Sequence, residues 1–303
     1  MRSSAESIPR SRSLRSWVYN DHMYLIGNEG FDEFSLLDSG DGYRLERWGA
    51  YTLARPDPQA IWEKSDPSTW DNADAVFENE TWTVRKELPE YWDMKFRDMV
   101  LRARPMNFKH TGIFPEQAAN WALMSERLSG LEHPRVLNLF AYTGAATVWL
   151  TKEGAFVTHV DASRPAIGWA KDNQELNGLA PDSVRWMLED AVAFVKKEVK
   201  RGAQYEGIVM DPPAFGHGPT GKIWKFNEHM PRLVADCVSL LSPDARFLII
   251  NAYATNTSEL AIKNLLEDSM KGREGTVEAG QLCLKQVNGR LVSTGIFARW
   301  TVK

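Results

Sequence analysis

Residues 136–146 read VLNLFAYTGAA, and this stretch decides the predicted fold. The apolar run 136–140 has the length and composition of a buried strand, and a segment of helical spacing begins at Ala145. The small residues Gly144 to Ala146 let a ligand approach the backbone and the helix N-terminus. Because the turn lacks a full Gly-x-Gly-x-x-Gly pattern, it is equally typical of an ordinary strand-to-helix connection.

The alternation of strand and helix continues toward the C-terminus. Further apolar runs lie at residues 156–160, 184–188, 208–210 and 247–251, and segments of helical spacing lie at residues 145–152, 166–177, 191–201 and 230–241. Strands that alternate with helices indicate parallel strands joined by right-handed crossovers. A final hairpin is predicted on either side of Asn288 and Gly289. We therefore predict an α/β fold with a twisted, seven-stranded, mostly parallel sheet and helices on both faces.

The region before this alternation has a different pattern. Residues 1–16 are rich in Ser and Arg and are predicted to be disordered. Segments typical of short strands follow at residues 43–47, 51–55, 81–86 and 99–104, separated by turn signals. We predict a small β-rich domain over residues 17–108 and a larger domain over residues 109–303. A helix from Pro115 to Leu128 is predicted near the start of the larger domain.

Five of the six tryptophans in the first hundred residues lie beyond residue 40: Trp48, Trp62, Trp70, Trp82 and Trp92. In a small β-rich unit such side chains are more often core than surface, so we interpret them as core. The alternative is that some of them stack on nucleic-acid bases.

Composition narrows the class of protein. With 43% hydrophobic residues and no apolar run near the roughly 20 residues that cross a bilayer, the chain is expected to be soluble, cytoplasmic and without membrane contact. The net charge of −4 gives no general attraction for nucleic acid, so an RNA-binding surface has to be local. Two cysteines exclude a disulfide framework, and the histidines lack metal-ligand spacing. No metal is expected.

Two further strand ends carry carboxylates that converge with the glycine turn, because the carboxyl ends of parallel strands share one edge of the sheet. Asp161 and Ser163 follow the second strand, where a carboxylate can accept both hydroxyls of a ribose. Glu189 and Asp190 follow the third strand, where a carboxylate can accept from an adenine amino group. The alternative for each pair is a helix N-cap, and both roles are compatible.

The most specific motif is the run IVMDPPAF at residues 208–215. Two successive prolines fix an extended turn that directs the Asp211 carboxylate toward the cleft, and Phe215 offers an aromatic plane. These groups suit a planar acceptor that carries an amine. Since the glycine trio that cradles a pyrophosphate is absent, the four motifs favour a cofactor that contains adenosine but no phosphates.

In this order the motifs resemble those of the class I S-adenosylmethionine-dependent methyltransferases that modify bacterial 23S ribosomal RNA, the cytosine-5 and guanine methyltransferases above all. The segments that carry the resemblance are residues 109–117, 136–144, 160–163, 173–177, 189–190 and 210–215. The resemblance covers residues 109–303 and implies a Rossmann-like methyltransferase sheet, S-adenosylmethionine as the cofactor and ribosomal RNA as the partner.

The resemblance also implies roles for individual residues. The turn from Phe140 to Gly144 is expected to hold the methionine moiety, with Gln117 close to it, while Asp161 binds the ribose and Asp190 the adenine. The full set of predicted cofactor-binding residues is Gln117, Asn138, Phe140, Tyr142, Thr143, Gly144, Asp161, Ser163, Asp190 and Asp211. The predicted catalytic residues are Asp211, Pro212 and Phe215.

One departure from the family pattern bears on the chemistry. Cytosine-5 methylation needs a cysteine thiolate after the fifth strand or within the Asp-Pro-Pro loop. Here residues 251–255 read NAYAT, the loop contains Ala214, and Cys237 falls in an amphipathic segment. We therefore predict direct methyl transfer to nitrogen, with oxygen as the less favoured acceptor. A protein side chain, a small molecule, or a non-catalytic adenosyl- or RNA-binding role are the alternatives.

A glycine-rich, basic and aromatic stretch follows the Asp-Pro-Pro loop at residues 216–225. Lys109, Lys222 and Lys225 flank the predicted mouth, which is the opening of the cofactor and acceptor cleft. The stretch is interpreted either as a lid that binds phosphate and stacks on a base or as a plain loop.

Overall fold

The computed structural model describes residues 17–19, 22–28, 30–106, 108–217 and 223–302. The predicted disordered segment 1–16 lies outside the described residues, and so do residues 218–222 of the predicted lid, Lys222 among them.

Strands and helices alternate over most of the described chain. The strands are β1 (Trp17–Tyr19), β2 (His22–Ile26), β3 (Phe34–Gly40), β4 (Tyr43–Trp48), β5 (Tyr51–Pro56), β6 (Ala75–Glu78), β7 (Thr81–Val84), β8 (Trp92–Phe96), β9 (Met99–Ala103), β10 (Arg135–Leu139), β11 (Phe156–Asp161), β12 (Val184–Leu188), β13 (Gly207–Met210), β14 (Phe215–His217), β15 (Ile223–Lys225), β16 (Phe247–Ala252), β17 (Thr276–Lys285) and β18 (Leu291–Thr301). The helices are α1 (Pro67–Trp70), α2 (Ala118–Leu128), α3 (Ala145–Lys152), α4 (Arg164–Leu176), α5 (Ala191–Arg201), α6 (Phe226–Ser239) and α7 (Glu259–Ser269), with a 3-10 turn at Pro115–Gln117 before α2.

The large sheet contains the predicted seven strands in the order β12-β11-β10-β13-β16-β18-β17. The first five strands are parallel to one another, and β18 runs antiparallel between β16 and β17. The predicted α/β fold with a mostly parallel seven-stranded sheet is therefore confirmed. Its carboxyl edge brings together the ends of β10, β11, β13 and β16.

Two additional strands extend this sheet beyond the predicted seven. β2 pairs in parallel with β17, and β1 pairs antiparallel with β2. The predicted boundaries assign residues 17–26 to the small β-rich domain, whereas the structure pairs these strands with the large sheet. The physical reason is that β17 otherwise leaves a row of unpaired backbone groups at the sheet edge, and β2 pairs with them.

The β-rich unit of the N-terminal half is a five-stranded sheet, β3 to β7, together with the β8–β9 hairpin. Its core is continuous with that of the large sheet, since Phe96 on β8 lies 5.5 Å from the Trp121 ring and 5.4 Å from the Trp149 ring. The five tryptophans from Trp48 to Trp92 are buried or half-buried in hydrophobic clusters, which supports their interpretation as core.

The β-rich unit is also tied to the segment that precedes α2. Arg55 forms a buried ion pair with Glu46 at 2.6 Å and donates a hydrogen bond to the Lys109 carbonyl at 2.9 Å. Asn173 on α4 donates to the Thr143 carbonyl at 2.8 Å and accepts from the Arg102 N–H at 2.8 Å. The turn after β10 is therefore held against β9.

Candidate functional site

A cavity of about 570 Å³ opens at the carboxyl edge of the large sheet. Its volume lies in the range of small-molecule and cofactor sites. The lining includes all but one of the predicted cofactor-binding and catalytic residues: Gln117, Asn138, Phe140, Tyr142, Thr143, Gly144, Asp161, Ser163, Asp190, Asp211 and Pro212. The exception is Phe215.

The turn after β10 has an unusual backbone. Phe140, Tyr142 and Gly144 all have positive φ, at 54°, 50° and 80°. Two such conformations at non-glycine residues are strained, and strain of this kind persists where the surrounding structure enforces it. The Thr143 hydroxyl contributes by donating to the Gly112 carbonyl at 2.6 Å. The turn is thus a rigid wall whose backbone faces the cavity.

Gly144 is the N-cap of α3, and a Cβ at this position lies 2.8 Å from the Ala170 Cβ. Gly178 offers a matched comparison, because its φ is 64° but a Cβ there meets open space. We expect Gly178→Ala to lose about 1 kcal/mol of unfolding free energy from backbone strain, and Gly144→Ala to lose about 1–3 kcal/mol more from overpacking. Denaturant titration of both variants measures this difference; equal losses contradict the close packing.

Asp161 ends β11 with both carboxylate oxygens directed at backbone donors. The N–H groups of Tyr142 and Ser163 donate to Oδ2 and Oδ1, each at 2.8 Å. Burial raises the pKa of this carboxyl against the lowering effect of these bonds. Since a carboxylate oxygen accepts two hydrogen bonds, each oxygen retains capacity for a ligand hydroxyl.

The next strand end combines a helix cap with a place in the cavity lining. Asp190 is the N-cap of α5, where its Oδ1 accepts from the Ala193 N–H at 2.9 Å, and it also lines the cavity. Ser163 likewise caps α4 through Ala166 and lines the cavity. Glu189 instead pairs with Lys197. Capping and cavity lining therefore coexist at Asp190 and Ser163.

Asn138 lies deeper, on β10 itself. Its amide donates to the Thr147 hydroxyl at 3.0 Å, and that hydroxyl lies 2.9 Å from Nδ1 of His159. Burial lowers the pKa of His159 to about 3, so its ring is neutral near pH 7. Asn138 thus fixes the packing of α3 behind the turn.

Asp211 follows β13 and lies between the ends of β10 and β16. Burial, and then the charge of Glu116, raise the pKa of the Asp211 carboxyl to about 7. Within the described part of the chain, no hydrogen bond to its carboxylate is present. A carboxylate of this kind, at the edge of a cavity, is suited to accept a proton near neutral pH.

Phe215 has a different position from the one predicted. It is 55% exposed and, among the described residues, is not part of the cavity lining. β14 pairs antiparallel with β15, with Phe215 opposite Lys225 and Gly216 opposite Trp224. Side chains alternate along a strand, so Gly216 and Trp224 face the cavity and Phe215 lies on the other face. Trp224 lines the cavity in its place.

Two of the three lysines of the predicted mouth, Lys109 and Lys225, are described, and both are held by other groups. Lys109 Nζ donates to the Pro56 carbonyl at 3.3 Å, and Lys225 pairs with Glu228 at 2.8 Å. The described ends of the predicted lid form the β14–β15 hairpin.

Sequence reasoning missed several aromatic residues of the cavity. Tyr253 follows β16, and its hydroxyl accepts from the Gln117 amide at 2.9 Å. Its ring lies 5.6 Å from that of Phe114, which also lines the cavity. The sequence contained a signal for Tyr253, since residue 253 follows an apolar strand as Asp211 does. Residues 251–255 were interpreted only as a segment without cysteine.

Both cysteines, Cys237 and Cys283, are buried away from this site. Neither lines the cavity as the described residues define it. Burial raises the pKa of Cys283 to about 12 and raises that of Cys237 as well, so both are thiols near pH 7. The described residues also contain no cluster of His, Cys, Asp and Glu that can hold a metal ion. Every helix described is too short or too polar to span a bilayer.

Comparison with known sequences and structures identifies relatives of this architecture. Residues 77–270 match the family described as S-adenosylmethionine-dependent methyltransferase. The chain is 32% identical over 143 residues to the Ribosomal RNA large subunit methyltransferase K/L of Shewanella frigidimarina and 34% identical over 143 residues to that of Shewanella baltica. Each match covers 46% of this chain and 19% of the relative, so the chain spans only about a fifth of these curated relatives.

Among solved structures, a SAM-dependent methyltransferase from Agrobacterium tumefaciens superimposes with a TM-score of 0.88 at 38% identity, covering 92% of this chain and 93% of that one. SMU.776, a methyltransferase complexed with SAH, has a TM-score of 0.71 at 18% identity, with coverage of 90% and 76%, and shares the fold.

Proposed function

The chain belongs to the S-adenosylmethionine-dependent methyltransferase family, and on that premise we propose that it methylates a base nitrogen of ribosomal RNA without a covalent cysteine intermediate. The observation that carries this proposal is the Asp211 carboxylate, which shares one cavity with Asp161 while both cysteines lie elsewhere.

The cofactor is S-adenosylmethionine, and the chain's residues fit it. The spare acceptor capacity of Asp161 matches the two hydroxyls of a ribose. Asp190 has one oxygen beyond its capping bond for an adenine amino group. The strained turn from Phe140 to Gly144 presents its backbone and the N-terminus of α3 to the methionine end. When bound, S-adenosylmethionine supplies an electrophilic methyl group on a sulfonium sulfur.

The protein's own contribution is positioning and proton acceptance. An amine needs little more than an in-line lone pair at close range, so orientation supplies most of the acceleration. Asp211 orients the amine by accepting one of its hydrogens. Once the acceptor nitrogen has gained the methyl group that bound S-adenosylmethionine would supply, the excess proton on that nitrogen passes to Asp211.

Direct transfer predicts that neither thiol is required. We expect the double variant Cys237→Ala/Cys283→Ala to retain methyl-transfer activity within about 3-fold of wild type, because a covalent route is the one mechanism that needs a thiolate. Incorporation of labelled methyl groups measures the rate, and a thermal unfolding curve controls for the loss of two buried side chains. Loss of turnover in a folded double variant contradicts direct transfer.

Ribosomal RNA is proposed as the acceptor on two grounds. The curated relatives carry the name of ribosomal RNA methyltransferases, and the cavity lining is rich in aromatic residues that suit a base, including the half-exposed Phe108. The cytoplasm, where ribosomes are present, is the proposed location.

The direct experiment incubates the protein and methyl-labelled S-adenosylmethionine with ribosomal RNA from cells that lack the enzyme. We expect label in RNA, at a base whose mass spectrum places the methyl group on nitrogen. RNA from cells that contain the enzyme is the control, since its site is already modified. Label in protein or metabolites but not in RNA contradicts the proposed acceptor.

A further inference from the structure

We propose that Trp224 and Tyr253 are the two walls of a slot that holds the acceptor ring beside Asp211, and that Trp224 replaces Phe215 as the stacking residue. The inference rests on the proposed function and deepens it, because it assigns the acceptor to flat heterocycles.

The first observation is the orientation of the β14–β15 hairpin. Gly216 and Trp224 are paired across the hairpin and both line the cavity, whereas Phe215 is paired with the exposed Lys225. Gly216 has no side chain, so of these two paired residues only Trp224 presents a side chain to the cavity. The aromatic plane expected of the Asp-Pro-Pro loop therefore comes from the returning strand.

Trp224 is held in a defined orientation. Its Nε1 donates to the Pro213 carbonyl at 2.6 Å, which ties the indole to the double-proline turn. One side of the ring stacks on His229, with centroids 5.3 Å apart and planes 26° apart, and Phe140 lies 5.3 Å away. Only 8% of the residue is exposed, so the part of the indole that lines the cavity is held in place before a ligand binds and loses little entropy on binding.

Tyr253 lies on the opposite side of Asp211 from Trp224. The strand order β16-β13-β10 puts Asp211, after β13, between Tyr253 after β16 and Phe140 after β10. Trp224 is not part of this sheet, but its ring lies 5.3 Å from that of Phe140 and so lies on the β10 side of Asp211. Tyr253 and Trp224 therefore border the same cavity on the two sides of Asp211.

The polar groups of the slot further restrict the chemical groups that the acceptor ring can carry. The Tyr253 hydroxyl accepts from Gln117, which leaves its own proton available to donate. Asp211 accepts, so the slot offers one donor and one acceptor. This pair suits a ring with an exocyclic amine next to a ring nitrogen that accepts a hydrogen bond.

Three variants test the slot: Trp224→Ala, Trp224→Phe and Phe215→Ala. We expect Trp224→Ala to lower kcat/KM for the RNA by about 10- to 100-fold, as base–aromatic stacking does elsewhere, with the Kd for S-adenosylhomocysteine within about 3-fold of wild type. Trp224→Phe should recover most of the loss, and Phe215→Ala should stay within about 3-fold. Calorimetry with S-adenosylhomocysteine shows whether each variant is folded. An equal or larger loss in Phe215→Ala, or no loss in Trp224→Ala, overturns the assignment.

A second measurement tests the slot independently of whether ribosomal RNA is the substrate. The protein is labelled with 5-fluorotryptophan, saturated with S-adenosylhomocysteine and titrated with adenosine, guanosine and cytidine monophosphates. We expect at least one nucleotide to shift the ¹⁹F resonance of Trp224, identified by its loss in Trp224→Phe, while that of Trp62 in the β-rich unit stays unchanged. No shift with any nucleotide overturns the slot. A shift in a protein that leaves ribosomal RNA unlabelled contradicts the proposed RNA substrate alone.

Discussion

Replacement of Asp211 by asparagine is expected to lower the rate of methyl transfer by about 10²- to 10⁴-fold, the usual contribution of a positioned acid or base. The amide keeps the shape of the side chain but cannot accept the proton that the methylated nitrogen releases. The assay is turnover of labelled S-adenosylmethionine on the RNA acceptor. Calorimetry with S-adenosylhomocysteine is the control, with a Kd expected within about 3-fold of wild type. A variant with the wild-type rate rules out this role.

The same carboxyl predicts a pH dependence. Burial, and then Glu116, raise the pKa of Asp211 to about 7, so kcat/KM for S-adenosylmethionine, which reports the free enzyme, should rise with pH through about 7 and then level off. Positive charge on the bound sulfonium favours the carboxylate, so the corresponding rise in kcat should lie at lower pH. A flat wild-type profile contradicts the assignment of Asp211 as the titrating base.

The raised pKa of Asp211 also makes the free energy of unfolding depend on pH, because proton binding is linked to folding. The folded-state pKa of Asp211 is raised above the unfolded value near 3.8, so the folded protein binds the extra proton between about pH 4 and 7. Its contribution to the free energy of unfolding is therefore present at low pH and decreases as the pH rises through that window. Asp211→Asn should consequently gain stability relative to wild type on going from pH 5 to pH 8.

Replacement of Asp161 by alanine is expected to weaken binding of S-adenosylhomocysteine by about 10²- to 10⁴-fold. Hydrogen bonds to a charged group contribute about 1.5–3 kcal/mol each, and the variant loses two ribose contacts together with the anchors of the Tyr142 and Ser163 N–H groups. Isothermal titration calorimetry measures the Kd.

Glu189→Ala is the matched control for this variant. Glu189 lies at the next strand end and pairs with Lys197, so its loss should leave the Kd within about 2-fold of wild type. Thermal unfolding of both variants separates loss of binding from loss of the fold. A wild-type Kd in a folded Asp161→Ala variant contradicts the assignment of the ribose.

Local sequence pattern predicted the central α/β layer well. The predicted segments 145–152 and 191–201 coincide with α3 and α5, because each follows a strand end and contains strong helix formers. The edge of the sheet was not predicted. β1 and β2 are three and five residues long. β2 pairs with β17, which lies some 250 residues away, a pairing that local pattern does not encode.

The missed elements have separate causes. β8 alternates buried and exposed residues over five positions, but the sequence between the predicted strands was interpreted only as turns. α7 follows a Ser258 N-cap and buries Ile262 and Leu266 at helical spacing. The signal for α7 was present and was not used.

Topology explains why the polar part of the candidate site could be predicted and its aromatic part could not. Asp161, Asp190 and Asp211 lie at the ends of parallel strands or within two residues of them, so their convergence needs only the strand order. Phe215 and Trp224 depend on the register of a short hairpin. A shift of one residue in that register exchanges the two faces, and sequence alone does not fix it.

The crystal structure of the complex with S-adenosylhomocysteine tests the central claim most directly. The account predicts that both ribose hydroxyls lie within about 3.2 Å of the Asp161 carboxylate, with the sulfur in the same cavity and facing Asp211. A ligand bound outside this cavity, or a ribose held without Asp161, contradicts it.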